Sequence, residues 1–133
     1  MELIDEIEEL IMMHQEGPYW DFKREWYDDS KDGDLLIDII CMANNLVDRD
    51  AYIIIGVNEE CDYAIQDVSQ DANRRNTQML TDFIRGKKFA GDFRPVVTVE
   101  QVHLDGGLVD VIVVHNSINT PYYLKEKYKG NIC

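Results

Sequence analysis

Cysteine is scarce and poorly placed for its usual structural roles. Cys41, Cys61 and Cys133 are odd in number, far apart and contain no CxxC pair, so neither a disulfide framework nor a zinc site has a pattern to rest on. Long hydrophobic runs are missing as well. Nothing approaches the roughly 18 apolar residues of a membrane span. The opening MELIDEIEEL has neither the basic n-region nor the apolar core of a secretion signal. The reading is a cytoplasmic protein with no membrane partner. Neither G-x-x-x-x-G-K-S/T nor G-x-G-x-x-G occurs, so no ATP-binding motif is seen. The histidines (His14, His103, His115) are scattered, and no Ser/His/Asp or Cys/His nucleophile arrangement is legible. Positive charge is short: 13 Lys and Arg against 26 Asp and Glu give a net charge of −13, which argues against generic binding to phosphate backbones.

That deficit is uneven. Residues 1–34 hold twelve acids against three bases, whereas residues 74–94 hold six bases against two acids, so a local basic face survives in an acidic molecule. At 133 residues, 45% of them hydrophobic, the chain is long enough for one domain with a single core. Leu3, Ile4, Ile7, Leu10 and Ile11 mark an amphipathic helix over 2–14, stopped by Gly17-Pro18. Tyr19 to Trp26 alternates aromatic and charged residues like a half-buried strand. A polar loop over Asp28–Gly33 leads to Asp34 as N-cap of a second helix, with Leu35, Leu36, Ile39, Ile40, Ala43, Leu46 and Val47 turned inward. Ala51–Val57 is a β-branched, fully buried strand, and Tyr63–Val68 is a short returning one. Ala72–Arg85 reads as a helix with Leu80, Phe83 and Ile84 inward. Pro95–Leu104 and Leu108–Asn116 flank a hairpin at Asp105-Gly106-Gly107, and Tyr122–Tyr128 is extended. The expected class is α+β, a mixed β-sheet with about three helices packed on it.

The centre of gravity is the stretch from Glu16 to Glu59. Glu16 stands five residues before Asp21, and Lys23 follows two residues on. A rigid buried strand then ends at Gly56-Val57 and delivers Asn58 and Glu59. Acids at strand ends are a common way to build a metal-binding or polyanionic site on such a scaffold.

WDFKREW, DIICMANN, YIIIGVNEE and TPYYLKEKY, in that order and at compatible spacing over nearly the whole chain, resemble the AlbA_2 domain of the Schlafen family, including its small bacterial members. The Y-x-R-V-G-type segment with which members often continue is missing, as expected of a chain truncated after Cys133. In nuclease-active Schlafens, the resemblance implies, three carboxylates and a divalent metal form the centre that cleaves tRNA or rRNA. Residue by residue these positions fall on Glu16, Asp21 and Glu59, with Lys23 beside them. Mg²⁺ or Mn²⁺ suits such an all-oxygen set, and Lys23 suits the developing charge on a phosphate. Asp21 stands where the family usually has Glu, and Glu59 where it has Asp, so one arm is a methylene shorter and the other longer. Metal-directed cleavage is sensitive to such changes.

Other readings stand beside this one. Arg85, Lys87, Lys88 and Arg94 interleave with Phe89, Phe93 and glycines, a composition suited to gripping RNA or DNA; equally, it suits a solvated loop with both rings as core anchors. Asn44 and Asn45 are either C-caps or neighbours of the site. Trp20, Phe22 and Trp26 are assigned to the core. The alternatives to a metal-assisted endoribonuclease are a non-catalytic nucleic-acid-binding or transcription-regulatory module working through Arg85–Arg94, and a protein-interaction domain. An unpaired edge strand offers a route to a homodimer.

Overall fold

Alternating burial in one short strand and continuous burial in the next set the architecture. In the computed structural model, which describes residues 2–125, β1 (Trp20–Lys23) alternates buried and half-buried positions, while every residue of β2 (Ala51–Ile55) is buried. The two pair in parallel, Asp21 opposite Ile53 and Lys23 opposite Ile55. β5 (Val97–Leu104) and β6 (Gly107–Val114) form the expected hairpin, and β6 pairs antiparallel with β2. The mixed four-stranded sheet runs β1-β2-β6-β5. Helix α1 (Leu3–Met12) covers one face, where Ile7 and Leu10 meet Trp20, Phe22, Tyr52, Ile54 and Val111. α2 (Asp32–Ala43) and α3 (Thr77–Arg85) cover the other, with Leu35, Leu36, Ile39, Leu80 and Ile84 against Ile53, Ile55 and Ile112. This α+β arrangement of three helices on a mixed sheet is the expected class, and β2 is buried because both of its faces carry a helix layer.

Several boundaries differ from the sequence reading. α2 starts at Asp32, two residues before the expected cap, because Asp28 caps a preceding 3-10 turn through the Ser30 amide at 2.9 Å. The helix ends at Ala43, so Leu46 and Val47 are 98% and 46% exposed rather than inward. Asn45 Nδ2 ends it by donating to the Met42 and Arg49 carbonyls at 2.9 and 2.8 Å. Asn44 is the C-cap, its amide donating to the Ile40 carbonyl at 3.0 Å, and its side chain also clamps the chain at Tyr122, donating to that residue's carbonyl and accepting from its amide at 2.8 and 2.7 Å. α3 is shorter than expected because Asn76 caps it, accepting from the Met79 amide at 2.8 Å. The strand expected over Ala51–Val57 breaks at Gly56 (φ +118°), where a Cβ would meet Gln66 O and Val109 Cγ1 at 3.0 Å. The chain leaves the sheet there as β3 (Val57–Asn58), which pairs with β4 (Ala64–Ile65). Of the expected Tyr122–Tyr128 strand, Leu124 bridges Phe89, and residues 126–128 lie outside the described residues. Trp20, Phe22 and Trp26 are core, as assigned.

Asp110, in the apolar run of β6, is 1% exposed. It accepts from Trp26 Nε1 at 2.8 Å and takes both Nε and Nη2 of Arg74, at 2.9 and 3.0 Å. This three-way lock ties the loop after β1 and the loop before α3 to β6 opposite Ile55. Removing one partner of a buried ion pair strands the other charge. Arg74→Ala is therefore expected to lower unfolding free energy by about 3 kcal/mol in a denaturant titration. A loss below about 1 kcal/mol would show that the pair behaves as a solvated surface bridge.

Candidate functional site

β1 is amphipathic with a purpose legible in its pairing. Trp20 and Phe22 point into the α1 layer, so Asp21 and Lys23 point to the α2 side beside Ile53 and Ile55. The turn that precedes β1 is tightly specified. Gly17 N–H donates to Trp20 O at 3.2 Å, Trp20 Nε1 donates to Gln15 O at 2.8 Å, and a Cβ on Gly17 would sit 2.1 Å from the Trp20 ring. Only glycine lets the chain double back here. The doubling back brings the Glu16 carboxylate over β1, with Oε2 3.5 Å from the Phe22 amide nitrogen.

The third acid arrives from the neighbouring strand. Gly56 N–H donates to Lys23 O at 2.7 Å, which anchors the break in β2 to the end of β1. Beyond it, Asn58 accepts from the Glu60 amide at 3.1 Å and starts a 3-10 turn at Glu59. Tyr63 braces the two turns: it stacks on His14 at 4.7 Å and meets Phe22 edge-on at 5.5 Å. The result is that one carboxylate oxygen each from Glu16, Asp21 and Glu59 lies within 4.8 Å of the other two. Glu16 and Glu59 are exposed and Asp21 is half-buried. Despite the exchanged side-chain lengths of Asp21 and Glu59, the three remain within reach of one ion. Their all-oxygen donor set fits a hard divalent cation such as Mg²⁺ or Mn²⁺.

Around Asp21 the electrostatics are those of a crowded acidic pocket. Burial, reinforced by Glu16, pushes the Asp21 carboxyl up to about 7, with Lys23 pulling the other way. Lys23 Nζ lies 3.4 Å from Asp21 Oδ2 and 3.4 Å from Asp38 Oδ2. Burial disfavours its ammonium, but the two carboxylates outweigh burial and raise its pKa. Asp38 also accepts from the Tyr27 hydroxyl at 2.6 Å; burial raises its pKa, while Tyr27 and Lys23 act in the opposite sense. Two clefts flank Lys23. One of about 450 Å³ is lined by Lys23, Tyr27, Lys31 and Asp38 among others, and one of about 260 Å³ by Lys23, Arg24, Asn58 and Glu59.

Sequence reasoning missed Asp38 and Tyr27. The available signal was a lone acid within the apolar run of α2, four residues after Asp34. Conversely, Arg85, Lys87, Lys88 and Arg94 are not brought to the acids. They precede Val97, which pairs with Val114, which in turn pairs with Ala51, so they lie toward the opposite end of the sheet from Ile55 and Gly56. Arg85 and Lys88 are exposed there, Lys87 Nζ lies 4.8 Å from the Phe83 ring centroid, and Arg94 Nη2 donates to Lys87 O at 3.0 Å. Phe89 is a core anchor, as one reading had it, but Phe93 is 52% exposed. The Asn44 end of α2 also faces away from the acids, because α2 leads into the start of β2.

The raised Asp21 pKa has a sign that can be tested. The group titrates near 7 when folded and near 3.8 when unfolded, so between those values the folded state holds the extra proton. Metal-free stability therefore falls as pH rises through this window and levels off above it. Asp21→Asn is expected to raise the melting temperature by about 2–4 °C at about pH 8, a gain that shrinks toward the acidic end of the window. A variant less stable than the parent at the alkaline end would contradict the assignment.

The family model described as Schlafen, AlbA_2 matches residues 16–132, a span that includes the three acids and the basic segment. No curated protein sequence gives a significant match to the chain. Among the described residues no helix is long and apolar enough to cross a membrane. On the extent of the family match, the chain belongs to the Schlafen AlbA_2 family and is a nucleic-acid-related domain.

Proposed function

We propose that the protein is a metal-assisted endoribonuclease acting on structured RNA of the tRNA or rRNA class, with Glu16, Asp21 and Glu59 as its acidic centre. The observation that carries this reading is the approach of three carboxylate oxygens to within 4.8 Å of one another in a chain of this family. Glu16, Asp21 and Glu59 would hold Mg²⁺ or Mn²⁺, Asp21 delivered by β1 and the other two by the turns before β1 and after β2. When bound, such an ion polarises a phosphate oxygen and lowers the pKa of water. Binding an ion also requires Asp21 to give up its proton, which near neutral pH costs little because the group titrates near 7. Lys23 supplies a point charge beside the centre, placed to meet a phosphate oxygen as negative charge develops.

A second reading, a non-catalytic nucleic-acid-binding module, is favoured by the exposed Arg85 and Lys88 lying apart from the acids. One experiment separates the two. Total tRNA is incubated with the protein in Mn²⁺ or in EDTA and resolved on a denaturing gel, with Asp21→Asn alongside. Discrete fragments in Mn²⁺ alone are expected, their rate of appearance falling by roughly two orders of magnitude or more in the variant. Cleavage retained by Asp21→Asn would overturn the centre. Intact tRNA under every condition, with salt-sensitive binding lost in the double variant Lys87→Glu, Lys88→Glu, would replace the first reading by the second.

A further inference from the structure

The acidic centre has a layer behind it that the three carboxylates do not account for. Asp38 sits in the second turn of α2, inside an otherwise apolar run, with its side chain 27% exposed. A single oxygen, Oδ2, receives the Tyr27 hydroxyl at 2.6 Å and lies 3.4 Å from Lys23 Nζ. Tyr27 is itself buried in the α2 layer at 5% exposure, and its ring lies 5.9 Å from the Lys23 ammonium. Lys23 Nζ stands equally far, 3.4 Å, from Asp21 Oδ2.

The chemistry of a lysine explains why this matters. Its ammonium is a compact charge on a flexible four-carbon stem, with no fixed direction of its own. Beside Asp21 alone it would fold onto that carboxylate and neutralise a ligand that the centre needs. A second carboxylate, held by a buried phenol, takes a share of the ammonium and fixes its distance. We propose that Asp38, oriented by Tyr27, is the positioning residue that holds Lys23 at the rim of the acidic centre without surrendering it to Asp21. Its consequence for RNA cleavage rests on the function proposed above; the placement of Lys23 does not. Once Asp21 is engaged with a cation, Asp38 is the carboxylate that still retains Lys23, leaving the ammonium facing the approaching phosphate.

The test has two arms. In the first, crystal structures of the metal-free parent, Asp38→Asn and Tyr27→Phe are compared. In Asp38→Asn, which preserves shape and removes charge, the Lys23 ammonium is expected to leave residue 38 and close on Asp21, and in Tyr27→Phe to shift the same way by less. In the second, cleavage is followed with Mn²⁺ at varied RNA concentration. Asp38→Asn is expected to lower kcat by roughly tenfold or more, with KM and Mn²⁺ affinity within about twofold of the parent. A Lys23 ammonium that keeps its parent position in Asp38→Asn would overturn the proposal. Should Asp38→Asn fail to fold, Tyr27→Phe decides the same question. A parent protein that cleaves nothing removes the proposed function while the structures still decide whether Asp38 holds Lys23.

Discussion

The parallel pairing of β1 with β2 is the constraint on which the rest depends. Parallel neighbours end at the same edge of a sheet, so Lys23 and Ile55 finish side by side, and whatever follows each strand emerges at one place. Gly56 converts that coincidence into a site. Its positive φ turns the chain out of the sheet, its amide holds the Lys23 carbonyl, and its own carbonyl accepts from Gln66 at 2.7 Å. On the other side the Gly17 turn folds Glu16 back over β1. Three acids from three segments thus converge because two glycines permit the turns and a doubly covered strand fixes their spacing.

Convergence of like charge is costly, and the molecule offsets it in several ways at once. Asp21 is pushed toward neutrality, Lys23 is drawn between two carboxylates, and Tyr27 supports the outer one. Glu16 and Glu59 stay in water. Nearby, Asp110 is fully paired by Arg74 and Trp26, which pins the surrounding loops without adding to the charge of the acidic pocket. These two treatments of buried acid differ in kind. Asp110 has its hydrogen-bonding capacity satisfied by fixed donors, as a structural ion pair does. Asp21 is left with a surplus of negative neighbours, the usual condition of a group that waits for a cation.

Most of this was legible in the sequence where period and residue type spoke together. Alternating aromatics and charges identified β1, although the strand covers only Trp20–Lys23 of the expected Tyr19–Trp26 and Trp26 packs on the opposite face from Trp20 and Phe22, and the unbroken β-branched run identified β2 as central. WDFKREW, DIICMANN, YIIIGVNEE and TPYYLKEKY, in that order, carried the resemblance to the Schlafen AlbA_2 domain, and with it the assignment of Glu16, Asp21 and Glu59. Illegible parts depended on tertiary partners. Leu46 and Val47 continue the helical pattern of α2, yet Asn45 ends the helix before them through backbone contacts that no periodicity encodes. Asp38 and Asp110 each look like an acid misplaced in an apolar run. Their roles exist only because β1 and the Arg74 loop come alongside. The basic segment is conspicuous in sequence, but β5 enters the sheet at the end away from the acids, and only the register reveals it.

The account stands on three carboxylates acting as one cation-binding unit, and direct titration of Mn²⁺ into the protein by calorimetry tests that most closely. One ion per chain, with affinity lost in Glu59→Gln and in Asp21→Asn while both variants stay folded, is the expected result. Absence of Mn²⁺ binding, or binding that neither substitution weakens, would show that Glu16, Asp21 and Glu59 meet without forming a site.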